Sequence, residues 1–147
     1  MIPASRRRAE KNRLQQARQR RGLDWEKALA ADLNGEGWAR CWPAGWGGQP
    51  WDISAVIDGY AYAIECKHIA RGNLGYSAFT VNEIENLSRH EDAGGISVVA
   101  VLRDEPETMR FVPWFAIREA VLGGGRGSVK LEEYPETLNG TWEVPHP

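Results

Sequence analysis

Residues 51–67 read WDISAVIDGYAYAIECK. Asp58-Gly59 is a strong two-residue hairpin signal, flanked by runs rich in Ile, Val, Tyr and Ala that alternate as strands do. With Asp58 and Gly59 as the loop, Ile57 lies opposite Tyr60, Val56 opposite Ala61, Ser54 opposite Ala63 and Asp52 opposite Glu65. Alternation then gathers Asp52, Ser54, Val56, Ala61, Ala63, Glu65 and Lys67 on one small, polar face. Trp51, Ile53, Ile57, Tyr60, Tyr62, Ile64 and Cys66 fall on the other, which reads as the core face.

Two carboxylates set directly opposite each other in a sheet repel. At about 5 Å and an effective dielectric near 20 the cost is roughly 3 kcal/mol. Lys67 supplies one positive charge two residues along from Glu65. A divalent cation would do more, and two carboxylates with open positions suit hard, oxygen-seeking Mg²⁺. The plainer alternative is an exposed polar hairpin face with an incidental Lys-Glu pair, and a bulge near the acids would shift the register.

The chain has 147 residues, 42% of them hydrophobic, enough for one domain of ordinary size burying about two thirds of its unfolded surface. No apolar run is long enough for a membrane span, and no signal-peptide core stands at the start, so a cytoplasmic protein of a bacterium, archaeon or phage is expected. Cys41 and Cys66 are too few for a disulfide framework or a four-ligand zinc site and read as reduced, structural thiols.

The net charge of −2 conceals an asymmetry. Residues 1–21 carry Arg6, Arg7, Arg8, Lys11, Arg13, Arg18, Arg20 and Arg21 against Glu10, a net +7, while the remainder carries −9. A basic N-terminal arm (1–21) on an acidic domain (22–147) is the pattern of a polyanion-binding tail and points to nucleic acid; a solvated helix or loose terminus is the bland alternative.

Along the chain, Trp25, Ala28, Leu29 and Leu33 form one helical stripe over residues 23–34, bordered by Glu26 and closed by Gly35 and Gly37. A strand is expected at 38–42, then a glycine-rich loop at 43–50 containing Trp46, which could stack on a splayed base. After the hairpin, 68–78 reads as a mobile loop. Thr80 to Glu83 is a capping-box pattern that predicts a helix over about 81–92, ended by Gly94-Gly95. The apolar run 96–102 predicts a strand buried on both faces, followed by a turn at 104–106, a strand at 108–112, and a short helix from Pro113 to about Leu122. GGGRG at 123–127 reads as a loop and the rest as a polar tail. The order α, β, β, β, α, β, β, α implies an α/β fold: a mixed sheet of about five strands flanked by helices.

Taken together, RGLDWEKALAADLNGEGW (21–38), QPWDI (49–53) and AIECK (63–67) resemble the PD-(D/E)XK nuclease superfamily. Within it the likeness is to Holliday junction resolvases of the archaeal type and their bacterial relatives, over roughly residues 21–102. The resemblance implies a restriction-endonuclease-like sheet and Mg²⁺, with Mn²⁺ as a substitute, held by Asp52, Glu65 and the main-chain carbonyl of Cys66. It also implies Lys67 as the catalytic lysine and Glu26 as the helical acid that completes the site. In such a site, metal and lysine stabilise charge on a phosphodiester undergoing attack by water.

The expected function is therefore a Mg²⁺-dependent endonuclease that resolves four-way DNA junctions as a homodimer. A nuclease of the same superfamily with a restriction, nicking or flap target is the second reading, and a non-catalytic DNA-binding module the third.

Overall fold

The computed structural model describes residues 23–43 and 48–137. The basic arm with its eight arginines and lysines, and Trp46, lie outside the described residues. Helix α1 spans Leu23–Glu36, followed by strands β1 (Trp38–Cys41), β2 (Ile53–Ile57), β3 (Tyr60–Arg71) and β4 (Leu74–Gly75). Helix α2 (Val81–Asp92), strands β5 (Ile96–Glu105) and β6 (Thr108–Pro113), helix α3 (Trp114–Leu122) and strand β7 (Ser128–Val129) complete the order.

Five strands form one mixed sheet in the order β1-β2-β3-β5-β6. Strands β1, β2 and β3 run antiparallel to one another, β3 and β5 are parallel with α2 between them in sequence, and β5 and β6 form an antiparallel pair. With three flanking helices this is the restriction-endonuclease-like α/β arrangement expected from the sequence. None of the helices among the described residues is long and apolar enough to cross a membrane.

The central hairpin has the expected register from Ile57↔Tyr60 to Ile53↔Ile64. Its turn takes positive φ at both loop residues, 54° at Asp58 and 83° at Gly59, the conformation that makes Asp-Gly suit this site. Parity then sorts the core into two. Ile53, Ala55, Ile57, Tyr62, Ile64 and Cys66 pack with Val98, Ala100 and Leu102 under Trp25, Leu29 and Leu33 of α1. On the opposite face Ala63, Val99, Val101 and Val112 pack under Leu87 of α2 and Trp114, Ile117 and Val121 of α3. The face that looked merely small and polar in sequence is therefore a second core over β3, β5 and β6. At its β1–β2 end, Trp38 and Val56 are exposed.

Three expectations are corrected. Residues 68–78 are not a mobile loop: β3 runs on to Arg71 because its parallel partner β5 runs on to Glu105, and β4 and a 3-10 turn (Tyr76–Ala78) follow. The segment after residue 127 is not simply a polar tail, since β7 pairs with β4, Val129 and Leu131 are buried, and Thr137 N–H donates to the Met109 carbonyl at 2.8 Å. Trp51 leaves the face of Ile53. Its ring packs against the second core and lies 5.0 Å from His90 of α2, and its Nε1 donates to Ser54 Oγ at 2.8 Å.

Gly37, which links α1 to β1, has a steric reason to be glycine. A Cβ there would lie 2.4 Å from the Val56 carbonyl oxygen and 3.2 Å from Ile57 Cα. Both obstacles are backbone of a central hairpin and yield only if the sheet shifts. Gly37→Ala is thus expected to destabilise by about 1–3 kcal/mol, as overpacking in a rigid region does, and chemical denaturation checks it.

Candidate active site

Strand β3 outruns β2. The last paired residues of the two strands are Ile53 and Ile64, so from Glu65 onward β3 keeps β5 on one side and loses β2 on the other. The candidate residues lie at this opening.

At the opening the ladder slips. Asp52 N–H donates to the Ile64 carbonyl at 3.1 Å, and Asp52 Oδ2 accepts from the Cys66 N–H at 2.8 Å, taking the place of the missing β2 carbonyl. Asp52 is therefore not a simple cross-strand partner of Glu65. The irregularity re-aims it, as bulges beside functional sites do, and it also carries Trp51 to the opposite face. Asp52 Oδ1 accepts from Gln49 Nε2 at 2.7 Å, Gln49's carbonyl accepts from Asn82 Nδ2 at 3.2 Å, and Asp52's own carbonyl accepts from the Trp42 N–H at 3.0 Å.

Glu65, in register with Val99, faces the second core and is only 6% exposed. Its carboxyl is pushed up to about 9, first by burial, then by the charges of Asp52 and Glu83 and a side-chain hydrogen bond with Asp52; Lys67 opposes the shift. Glu26, half-buried on α1, is pushed up to about 7 by burial and then by Asp52, again opposed by Lys67. Glu26, Asp52 and Cys66 each bring a ligand atom within 4.8 Å of the others, a cluster that could coordinate a divalent metal. The Cys66 thiol lies among α1-side core residues, and burial followed by its acidic neighbours holds its pKa well above the usual range. As a neutral thiol it is a poor partner for a hard cation, which would take the oxygens.

Lys67 does not offset the Asp52–Glu65 pair in the way its spacing suggested. Its Nζ donates to the Ala78 carbonyl at 2.8 Å and to both carboxylate oxygens of Glu83 at 2.7 and 3.0 Å, and stands 3.7 Å from Glu65 Oε2. It also lies 5.2 Å from the centre of the Phe79 ring. Much of its charge is thus answered by Glu83, which leaves Glu26, Asp52 and Glu65 as an acidic set short of positive charge. Within the cluster with Cys66, Glu26 and Asp52 offer carboxylate oxygens, donors that fit a hard divalent cation, and Glu65 is hydrogen-bonded to Asp52 beside them.

Of the residues the motif names, Glu26, Asp52 and Cys66 share one cluster, Glu65 is hydrogen-bonded to Asp52, and Lys67 stands 3.7 Å from Glu65. Glu83 and Gln49 were missed. Glu83 read only as the third residue of a capping box, which it is: its N–H donates to Thr80 Oγ1 and its carboxylate accepts from the Thr80 N–H. No local spacing marks it as the partner of a lysine 16 residues earlier. His68, next to Lys67 in the chain, pairs with Asp104 at 2.8 Å. Cys41 and Cys66 are both free thiols.

No protein-family model matches the chain, and no curated protein matches it. Among solved structures it is similar to Archaeoglobus fulgidus Hjc, a Holliday junction resolvase from an archaeal hyperthermophile. The identity is 28% and the TM-score 0.49, over 63% of this chain and 76% of that one.

Proposed function

We propose that this protein is a Mg²⁺-dependent, structure-selective DNA endonuclease that resolves four-way junctions by phosphodiester hydrolysis. The observation that carries the reading is the pairing of half-buried Asp52 with buried Glu65, with Glu26 beside Asp52, at an opening of the sheet where Lys67 is held beside Glu65. Burying acids at the cost of their ionisation gains a fold nothing. It serves a site that receives a cation.

Asp52, Glu65 and the Cys66 carbonyl would hold the cation, with Glu26 completing the acidic set. When bound, it supplies charge stabilisation to the phosphate and a more acidic water. Gln49 and the Cys66 N–H fix both oxygens of Asp52, so this carboxylate keeps its aim without substrate. Lys67 presents a positive charge beside Glu65, placed to stabilise negative charge developing on a phosphate oxygen. The basic arm brings eight positive charges for phosphate contact.

One domain offers one such cluster, and resolving a junction requires two incisions. A twofold homodimer is the commonest way to present two identical sites to a symmetric target. Cleavage of a synthetic four-way junction, a linear duplex and a flap, each with and without Mg²⁺, tests the reading, alongside sedimentation. We expect Mg²⁺-dependent paired incisions in the junction by a dimer and poor cutting of the duplex. Equal cutting of duplex and junction would favour another DNA target, and tight binding without cutting would favour a binding module.

A further inference from the structure

Lys67 is secured by groups from outside its own hairpin. An ammonium has three N–H donors. For Lys67 the three acceptors are the Ala78 carbonyl at 2.8 Å and the two Glu83 carboxylate oxygens at 2.7 and 3.0 Å. Glu65 Oε2 stands 3.7 Å away, beyond hydrogen-bond length. Both anchors come from residues 78–83, the 3-10 turn and the first turn of α2. The Glu83 carboxylate is itself tied down by the backbone, since its Oε2 accepts from the Thr80 N–H at 3.4 Å, a bond that does not use the threonine side chain.

We infer that Glu83 is the positioning residue of the catalytic lysine: with the Ala78 carbonyl, its carboxylate fixes where the Lys67 ammonium stands beside Glu65. This rests on the nuclease reading above. The side chain of Glu83 performs two separable tasks. As a capping-box acceptor it closes α2, and glutamine serves that position as well as glutamate. As an anion it holds Lys67, and glutamine cannot, because its amide offers an N–H toward the ammonium where the carboxylate offers a second oxygen. The same α2 turn reaches Asp52 through Asn82 and Gln49, so one helix end registers both the lysine and the acid.

The test compares Glu83→Gln, Glu83→Asp and Thr80→Ala with the wild type in junction cleavage with Mg²⁺, junction binding without it, and thermal melting. Glu83→Gln is expected to lower kcat by about 10²-fold, the scale of a catalytic group displaced by roughly 1 Å, with KM and binding unchanged; its melting temperature falls as well, because a largely buried ion pair loses one partner, so turnover is read on the folded protein. Glu83→Asp keeps the charge and is expected to turn over faster than Glu83→Gln. Thr80→Ala removes the cap but not the anion, and is expected to lower the melting temperature while the folded protein keeps its turnover. Wild-type turnover in Glu83→Gln, the reverse order of the aspartate and glutamine variants, or an equal kcat loss in Thr80→Ala would overturn the inference. If the wild type cuts no DNA in Mg²⁺, the nuclease reading itself falls, which is a different outcome from a cutting wild type with an indifferent Glu83.

Discussion

Replacing Glu65 by Gln or Asp52 by Asn is expected to cut junction cleavage by about 10²–10³-fold, the scale of losing one electrostatic stabiliser from a dry site, while DNA binding holds or strengthens. Binding gains at Asp52, where a carboxylate facing phosphate is removed, and holds at Glu65, whose carboxyl keeps its proton without metal. Folding survives in both for structural reasons. The buried Glu65 carboxyl already titrates at about 9 and shares a hydrogen bond with Asp52, so an amide at that position keeps a donor and loses no charge that the metal-free fold wanted. At Asp52 one oxygen accepts from the Cys66 N–H and the other from the Gln49 amide. An amide there can keep its oxygen toward Cys66 and turn its nitrogen to Gln49, whose own amide flips to accept. Single-turnover cleavage in Mg²⁺ and binding without Mg²⁺ are the two measurements. Near-normal cutting by either variant would remove that residue from the site.

The second large effect is on stability. Glu65 and Glu26 have folded pKa values near 9 and 7, above the ordinary 4.5 for a glutamate. The folded state therefore retains protons that the unfolded chain releases. For such groups the stabilisation is fully present below about pH 4.5 and is lost as pH rises, through about 7 for Glu26 and about 9 for Glu65. Metal-free protein should accordingly melt at steadily lower temperature between pH 5 and pH 9. A cation that replaces those protons should reverse the trend, and Mg²⁺ at about 100 times its dissociation constant would add about 2.7 kcal/mol. The rise in melting temperature on adding Mg²⁺ is thus expected to grow with pH and to shrink in Glu65→Gln. A Mg²⁺ effect independent of both pH and Glu65 would place the cation elsewhere.

What could be read without coordinates was whatever is local. The hairpin followed from Asp-Gly between alternating runs, and its pairing from Ile57↔Tyr60 to Ser54↔Ala63 is the expected one. Helix α2 has the expected bounds because Thr80 and Glu83 write its cap and Gly94-Gly95 its end. The α1 stripe of Trp25, Leu29 and Leu33 is buried as its spacing requires. The acidic residues Asp52 and Glu65 stood out, since charge on strands whose neighbours are apolar is conspicuous.

The tertiary structure decided how those residues meet. Alternation carried one residue too far put Asp52 square against Glu65 and Trp51 with Ile53. In the fold β2 stops at Ile53, and the Asp52 carboxylate itself completes the hydrogen bonding of β3 at Cys66. Nothing in residues 51–67 signals that break, nor the length of β3, which parallel pairing with β5 sustains to Arg71, turning an expected loop into strand. Likewise Lys67 seemed free to neutralise the acids beside it until α2 came down on the second face and offered Glu83. Period and cap depend on neighbours within a few residues and are therefore written in the sequence. The partner of a buried charge is chosen by which elements pack over it, and only the folded chain specifies that.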